Sequence, residues 1–230
     1  MPNHVSHVVR VTGPQHDVQR FFTMHFDCGG DAFDFDKIIP QPDIISQTES
    51  STVAENGAAL ILMSSANPFS PVTGLREAQW ERISQEVDLP GARPPEIAKA
   101  YLDMNPDYRE KGAIRLKAAA ETGYTDWYRW NIDHWGTKWG SYEVEFEEPE
   151  GGVFEFLFQS AWSPPLPVFE ALVKLYPSLT FDIKCFDEGW NFAGEGQMGA
   201  HVQEPFATTE ATDELYEAVY GFAPEHDEDD

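Results

Sequence analysis

Cysteines and long apolar runs are scarce in this sequence, and their scarcity excludes several classes of protein. Cys28 and Cys185 are its only cysteines, and they form no CxxC spacing. A disulfide scaffold and a thiol-rich metal site are therefore excluded, and we expect two free thiols in a reducing compartment. No apolar run approaches the roughly 20 residues that cross a bilayer, and the first residues lack the pattern of a signal peptide. The sequence predicts a cytoplasmic protein that does not enter a membrane.

Basic residues are also scarce. The 230 residues include 15 Lys and Arg against 40 Asp and Glu, a formal net charge of -25, and none of the basic residues follows Lys184. Such a surface repels the phosphates of nucleic acids and anionic lipids, and it attracts basic partners. Because 41% of the residues are hydrophobic and 13% are aromatic, the acidic chain is predicted to be a packed globule rather than a disordered one.

Known catalytic and metal-binding motifs are missing as well. The sequence has no HExxH, no Walker-type loop, no GxGxxG and no GxSxG. His134 has Asp133 beside it and Lys138 four residues on, but adjacent side chains diverge on a helix, so we interpret His134 as structural. The aspartates between Asp27 and Asp36 lack the spacing of a calcium loop. We therefore predict no catalytic residue, no metal and no cofactor, and expect a binding protein more than an enzyme.

Six segments show a clear periodicity. In four of the segments apolar and polar residues alternate, as they do in strands with one buried face. In the other two segments apolar residues recur at helical spacing. In chain order they are strand 4–13, helix 15–26, strands 141–148 and 153–160, helix 163–177 and strand 179–186. This order predicts an α+β fold, a ferredoxin-like antiparallel sheet with two helices on one face. A further strand is possible within 190–202.

The middle of the chain is predicted to be a long, mostly helical insertion. Residues 27–75 are rich in Asp, Pro, Ser, Gly and Asn, which indicates loop with one or two short strands. Residues 76–135 mix charges of both signs with helix-forming residues, and prolines interrupt them, so two to four helices are expected there.

Domain boundaries follow from this division. Residues 1–26 and 140–202 would form the ferredoxin-like core, 27–139 the inserted loop and helical region, and 203–230 a short helix with an acidic tail. An alternative stays open, in which 1–139 form an N-terminal domain and 140–202 a separate ferredoxin-like domain.

Tryptophans are concentrated in "TDWYRWNIDHWGTKWG", residues 125–140, which hold four of the seven. Gly123 and Thr125 precede a predicted helix that Gly136 ends. Its apolar arc is wide, so we expect it to be buried on two sides, with a ligand-binding face as the alternative. The predicted core or pocket cluster is Trp127, Trp130, Trp135, Trp139 and Trp162.

An acidic row is predicted on the first strand of the hairpin. Three glutamates alternate with Tyr142, Val144 and Phe146, so they would share the outer face at a repeat of about 6.8 Å, and two more extend the run into the turn. Such a row could occupy a basic groove that normally holds a phosphate backbone. A solvated strand face or adaptation to salt is the alternative. The predicted partner-binding residues are Glu143, Glu145, Glu147, Glu148 and Glu150.

Several segments carry a family resemblance. They are "MPNHVSHVVRVTGP", "FDFDKIIPQP", "DWYRWNIDHWGTKWG", "SAWSPPLPVFEALVKLYPSLTF" and "GWNFAGEG". Together they resemble the YubB-like family of plasmid- and phage-encoded proteins with a ferredoxin-like C-terminal domain. The family tends to carry Trp-Cys where this chain has His4 and Val5, which argues against a metal or redox role there. The resemblance implies a mobile genetic element and brings no catalytic residue with it.

These observations give two functional hypotheses. The first is a non-enzymatic acidic protein of a phage or plasmid that acts in the host cytoplasm. It would inhibit a basic host or defence protein, such as a nuclease or nucleic-acid-binding complex, through its DNA-mimic-like carboxylates, without binding nucleic acid itself. The alternative is a small-ligand or nucleotide-handling enzyme whose pocket lies between the sheet and the inserted helices, with tryptophan walls.

Overall fold

The computed structural model describes residues 3–27, 31–65 and 75–225. Its contacts divide the chain into two compact units, each described by itself below. Residues 1–40 and 131–230 form the sheet unit, and residues 41–130 form the helical unit. The domain boundaries expected from the sequence stay a prediction.

Within the described residues the chain forms nine α-helices and six strands. In chain order they are β1 (His4–Thr12), α1 (Gln15–His25), α2 (Asp43–Ser46), α3 (Thr52–Ser64), α4 (Glu77–Val87), α5 (Pro94–Met104), α6 (Pro106–Thr122), α7 (Trp127–Trp135), β2 (Tyr142–Phe146), β3 (Val153–Ala161), α8 (Leu166–Leu175), β4 (Thr180–Asp187), β5 (Ala193–Gly199), β6 (Ala207–Thr209) and α9 (Asp213–Tyr220). A short 3-10 turn, Phe35–Lys37, lies between α1 and α2.

The sheet has the order β2-β3-β1-β4-β5-β6, and its neighbouring strands are antiparallel. Strands β1 to β4 with α1 and α8 form the predicted βαββαβ core, in which β1 lies between β3 and β4. Strands β5 and β6 extend the sheet beyond β4. The ferredoxin-like α+β fold is thus confirmed, as is the further strand within 190–202, whereas β6 was not predicted.

One face of the sheet forms the core beneath both α1 and α8. Phe156 on β3 is fully buried, and Phe21 of α1 contacts it with ring centroids 6.4 Å apart. Phe169 of α8 contacts Phe158 at 6.4 Å. Phe156 and Phe158 alternate with outward-facing residues along β3, because successive side chains of a strand point to opposite faces. Each buried ring removes about 150–250 Å² of surface from water, so this face supplies much of the folding energy.

The opposite face, called the outer face, is covered in part by the C-terminal helix. Leu215 and Val219 of α9 pack on Phe186 of β4 and Ala193 of β5. Thr212 caps α9, since its hydroxyl accepts a hydrogen bond from the Leu215 N–H at 3.3 Å. On β3, Leu157 of the outer face is 41% exposed.

The helical unit corrects the prediction for residues 27–75. The described part of that range contains no strand, and the apolar run "AALILMSS" belongs to helix α3. Ser51 caps this helix by accepting from the Ala54 N–H at 3.2 Å. Gly57 of α3 and Gly112 of α6 bring the two backbones into contact, and a Cβ at Gly57 would clash with the Tyr108 carbonyl. This close approach buries the helix on more than one side, so its apolar residues follow no single stripe.

Helices α4 to α7 confirm the two to four helices expected between residues 76 and 135. Leu60 of α3, Ile83 of α4, and Tyr101 and Leu102 of α5 form the core of the helical unit. No helix among the described residues is long and apolar enough to cross a membrane.

Candidate functional site

The β2–β3 hairpin forms a groove of about 690 Å³ on the outer face, here called the acidic groove. Leu157 is its exposed apolar residue, and Arg10 of β1 also lines it. Phe146 lines its edge, with a ring that packs on Phe22 and Phe26 of α1 on the core side of the sheet. Five carboxylates line it, from Glu145, Glu147, Glu148, Glu150 and Glu155. Four of the five predicted partner-binding glutamates therefore come together in one place.

The turn of the hairpin is held in place by hydrogen bonds. Glu150 and Val153 exchange backbone hydrogen bonds of 3.0 and 2.9 Å. Gly152 has a φ of 94°, and a Cβ on it would lie 2.6 Å from the Gly13 carbonyl oxygen. The Gly13 N–H in turn donates to the Gly152 carbonyl at 3.2 Å. Only glycine fits this contact, which ties the turn to the connection between β1 and α1.

The predicted regular row of glutamates is wrong in its geometry. Tyr142 pairs with Gln159 but Glu145 pairs with Leu157, so three residues of β2 span two of β3. Glu143 lies in this bulge with a φ of 49°, and the strand ends at Phe146, before Glu147. A bulge inserts an extra residue and reverses which side chains face outward, so no single repeat of 6.8 Å relates the glutamates.

The bulge places Tyr142 on the outer face instead of the core face. Its hydroxyl lies 2.6 Å from Nδ1 of His4 and donates to the Ser160 carbonyl at 3.1 Å. Burial, then the charges of Glu188 and Glu143, raise the pKa of Tyr142 to about 12. Glu143 itself lines a smaller neighbouring pocket of about 190 Å³, together with Glu145 and Tyr220.

Negative charge in the acidic groove is only slightly compensated. Arg10 contacts Glu155 at 3.6 Å, and both side chains are about half exposed, so this ion pair contributes under about 1 kcal/mol. Arg10 is the one basic residue that lines the groove within the described part of the chain. The groove therefore presents a strong negative potential to any partner.

Two residues of the groove were not singled out in the sequence. Glu155 alternates with Phe154 and Phe156 on β3, and this alternation already indicated that it faces outward. Arg10 stands opposite Glu155 in the β1–β3 register, which no local pattern could reveal. Among the described residues, no group of three or more His, Cys, Asp or Glu could hold a metal ion.

The predicted tryptophan helix is confirmed as α7. Asp126 accepts from the Arg129 N–H at 3.2 Å at its start, and Gly136 follows its end with a φ of 78°. Trp130 and Trp135 are buried, at 4% and 7% exposure, and the indole N–H of Trp135 donates to the Ile39 carbonyl at 3.0 Å. These contacts are typical of core tryptophans.

The other predicted tryptophans are less buried. Trp127 and Trp139 are half-buried, and Trp162 is 39% exposed. The Lys138 ammonium lies 4.8 Å from the ring of Trp139 and 4.7 Å from that of Trp162, a cation–π contact with both rings. Trp127 and Trp130 belong to the helical unit, whereas Trp135, Trp139 and Trp162 belong to the sheet unit.

Of the two cysteines, Cys185 is confirmed as a free thiol. It is buried on β4, and burial, with a smaller effect of the Asp187 charge, raises its pKa to about 12. A thiol in this state is a poor nucleophile. Cys28 lies outside the described residues.

Comparison with known families bears on the second half of the chain. Residues 135–219 match the family model of the ferredoxin-like domain in Api92-like protein. The Api92-like match covers strands β2 to β6, helix α8 and nearly all of α9. No curated protein matches the chain. Among solved structures, the chain is similar to protein api92 from Yersinia pseudotuberculosis, at 9% identity and a TM-score of 0.42 over 92% of this chain and 99% of that one.

Proposed function

We propose that this protein binds a basic, nucleic-acid-binding protein through the acidic groove and blocks the surface on which that partner holds phosphates. The observation that carries the proposal is the meeting of five carboxylates in one groove beside a single guanidinium. Complementary charge steers encounter and selects partners. The overall charge of -25 would act in the same direction.

The form of the acidic groove supports a protein ligand more than a simple cation. Leu157 is 41% exposed within it, and apolar surface with a polar border is typical of protein interfaces. A hairpin whose turn is tied to Gly13 also holds its carboxylates on a rigid element, so little order has to be gained on binding.

The biological setting is part of the same proposal. The resemblance of the tryptophan and "SAWSPP" segments to the YubB-like family supports a phage or plasmid origin. Inhibition of a host or defence nuclease in the cytoplasm would be the role of such a protein.

A competition experiment tests the proposal. Purified nucleases and DNA-binding proteins are each bound to a labelled duplex, and displacement by the protein is followed by fluorescence anisotropy. We expect displacement for at least one basic partner, with an affinity that falls steeply as salt rises, because exposed charges beyond about 8 Å are screened at physiological ionic strength. The affinity for the partner should fall about tenfold in a triple variant that combines Glu145→Gln, Glu147→Gln and Glu148→Gln.

The matched control removes three charges elsewhere. Glu77→Gln, Glu81→Gln and Glu86→Gln on α4 change the net charge by the same amount at exposed positions, and they should leave the displacement nearly unchanged. Equal losses in both triple variants would show that net charge alone acts. Displacement that does not respond to salt would contradict the electrostatic mechanism.

A further inference from the structure

Four aromatic side chains, here called the aromatic surface, gather on the outer face of the sheet: three contact the buried ring of Phe186, and the fourth, Phe222, contacts two of those three. Trp190 and Phe222 are 39% and 58% exposed, and Tyr216 and Tyr220 lie half-buried between them. Trp190 follows β4, whereas Tyr216 and Tyr220 belong to α9 and Phe222 follows it. Exposed aromatic rings gathered in one place are characteristic of binding surfaces.

The loop after β4 holds Trp190 in an unfavourable conformation. Its φ is 58°, a value that bulky residues seldom adopt. Asp187, which is buried, stabilises the loop: its carbonyl accepts from the Trp190 N–H at 2.9 Å, and its carboxylate accepts from the side-chain amide of Asn191 at 2.6 Å. The loop thus keeps a large indole partly in solvent, against both backbone preference and the hydrophobic effect.

The four rings are arranged before any ligand arrives. Trp190 and Tyr216 are stacked, with centroids 5.4 Å apart and an interplanar angle of 15°. Phe222 contacts Tyr216 edge to face at 5.7 Å. Tyr216 and Tyr220 are four residues apart on α9 and so lie on the same side of the helix. Rings that already pack on one another lose little rotamer freedom when a ligand covers them.

Carboxylates accompany these rings, with Lys184 as a basic neighbour two residues before Phe186 on the same face of β4. Glu188 is exposed, and its Oε1 accepts from the His4 N–H at 2.8 Å. The charges of Glu188 and Asp187 act on Tyr220, whose pKa is raised mainly by burial. The sequence after Lys184 supplies no Lys or Arg. A guanidinium stacks on aromatic faces and pairs with carboxylates, which an ammonium does less well, so the chemistry fits arginine.

We propose that the aromatic surface binds an arginine side chain from an arginine-rich segment of the basic partner. This inference rests on the proposed function, since it assumes a basic protein partner, and it names the residue type that the partner presents. Tyr220 also lines the pocket that contains Glu143 and Glu145. One extended segment can therefore contact the aromatic surface and the carboxylates of the hairpin together.

The test compares two fluorescein-labelled peptides, nine arginines and nine lysines, by fluorescence anisotropy at about 0.15 M salt. The wild type should bind the arginine peptide more tightly than the lysine peptide. About two- to fivefold of this preference should come from the aromatic rings, which is the range of an exposed cation–π contact. Trp190→Leu and Phe222→Leu should each reduce the preference for arginine, because the affinity for the arginine peptide falls more than the affinity for the lysine peptide.

Trp162→Leu is the matched control, since Trp162 is also 39% exposed and also has a positive φ, of 73°. The Trp162→Leu variant should prefer the arginine peptide over the lysine peptide as strongly as the wild type does. If Trp190→Leu does not fold, as judged by its melting temperature, Phe222→Leu decides alone, because that side chain is mostly in solvent. An arginine preference that survives both substitutions contradicts the inference and leaves the proposed function standing. A wild type that binds neither peptide contradicts the proposed function, and the inference with it.

Discussion

The helical unit and the sheet unit use their charges in opposite ways. Between Arg76 and Lys117 the sequence has eight basic and eight acidic residues. Many of these form ion pairs inside the unit, among them Arg93 with Glu96, Arg109 with Asp103, and Lys111 with Glu49. In the sheet unit, five carboxylates meet in the acidic groove, where Arg10 is the one basic residue found in the described part of the chain. The helical unit therefore pairs many of its charges internally, whereas the sheet unit leaves most of its negative charge exposed to solvent.

The buried and the exposed charges of the molecule differ in how much they depend on their partners. Arg115 and Asp126 have side chains only 14% and 6% exposed, so their charges are removed from solvent and depend on each other. The groove glutamates are exposed and keep their hydration without a partner. Three experiments can contradict or sharpen this contrast.

The largest effect is expected where an internal ion pair is broken. Arg115→Met removes the guanidinium whose Nη1 lies 2.6 Å from Asp126 Oδ2 and leaves a buried carboxylate without its counter-charge. We expect a loss of about 3 kcal/mol in the free energy of unfolding, measured by urea denaturation. Lys117→Met is the control, because its contact with Glu121 is 3.9 Å long and exposed, and it should cost within about 0.5 kcal/mol. Equal losses in both variants would remove the contrast between buried and exposed pairs.

A smaller effect is expected from acid, and it arises in the sheet unit. His7 is buried on β1 against Phe158, no described residue hydrogen-bonds its ring nitrogens, and burial lowers its pKa from 6.5 to about 3. The unfolded chain gains a proton below pH 6.5 while the folded protein does not, so His7 lowers stability progressively between pH 6.5 and 3. From pH 7.5 to 5 the loss due to His7 should be about 2 kcal/mol.

Two variants check this expectation by urea denaturation at pH 7.5 and 5. His7→Leu should show a smaller drop in stability than the wild type. His16→Leu should show the same drop as the wild type, because the His16 side chain is 82% exposed. Residues 41–130 contain no histidine, so this source of acid sensitivity is confined to the sheet unit. A His7→Leu variant that loses as much stability as the wild type would contradict the account.

The smallest effect on stability is expected at the acidic groove. Arg10→Gln removes the half-exposed partner of Glu155 and should change the free energy of unfolding by less than about 1 kcal/mol. The same variant should bind a lysine peptide more tightly than the wild type, since it removes the one guanidinium that lines the groove among the described residues. A large loss of stability, or weaker peptide binding, would mean that Arg10 organises the groove instead of opposing its charge.

Much of the sheet was predictable because burial repeats at period two. Val5, Val9 and Val11 of β1 are buried, and Arg10 between them is exposed, as the alternation indicated. The alternation in the predicted strand 153–160 agrees with the burial of Phe154, Phe156 and Phe158. Helix α3 was missed because a short apolar run such as "AALILMSS" does not distinguish a strand from a buried helix.

The candidate site was only partly predictable. Glu145, Glu147, Glu148 and Glu150 were expected to act together, and they do lie in one groove. The bulge at Glu143 was missed since the alternation of β2 looks regular until its register with β3 is known. The aromatic surface was not predicted either, because Trp190 and Tyr216 are far apart in the chain.

The sequence by itself determined the acidic excess, the order of strands and helices in the βαββαβ core, and which residues of β1, β3 and β4 face inward. These properties follow from composition and from the local spacing of apolar side chains, which a single segment already contains. Only the tertiary structure decided that Glu155 and Arg10 join the acidic groove, that Gly57 brings α3 against α6, and that Trp190 meets Tyr216. Such contacts depend on strand register and on the approach of distant backbones, and no local pattern records either.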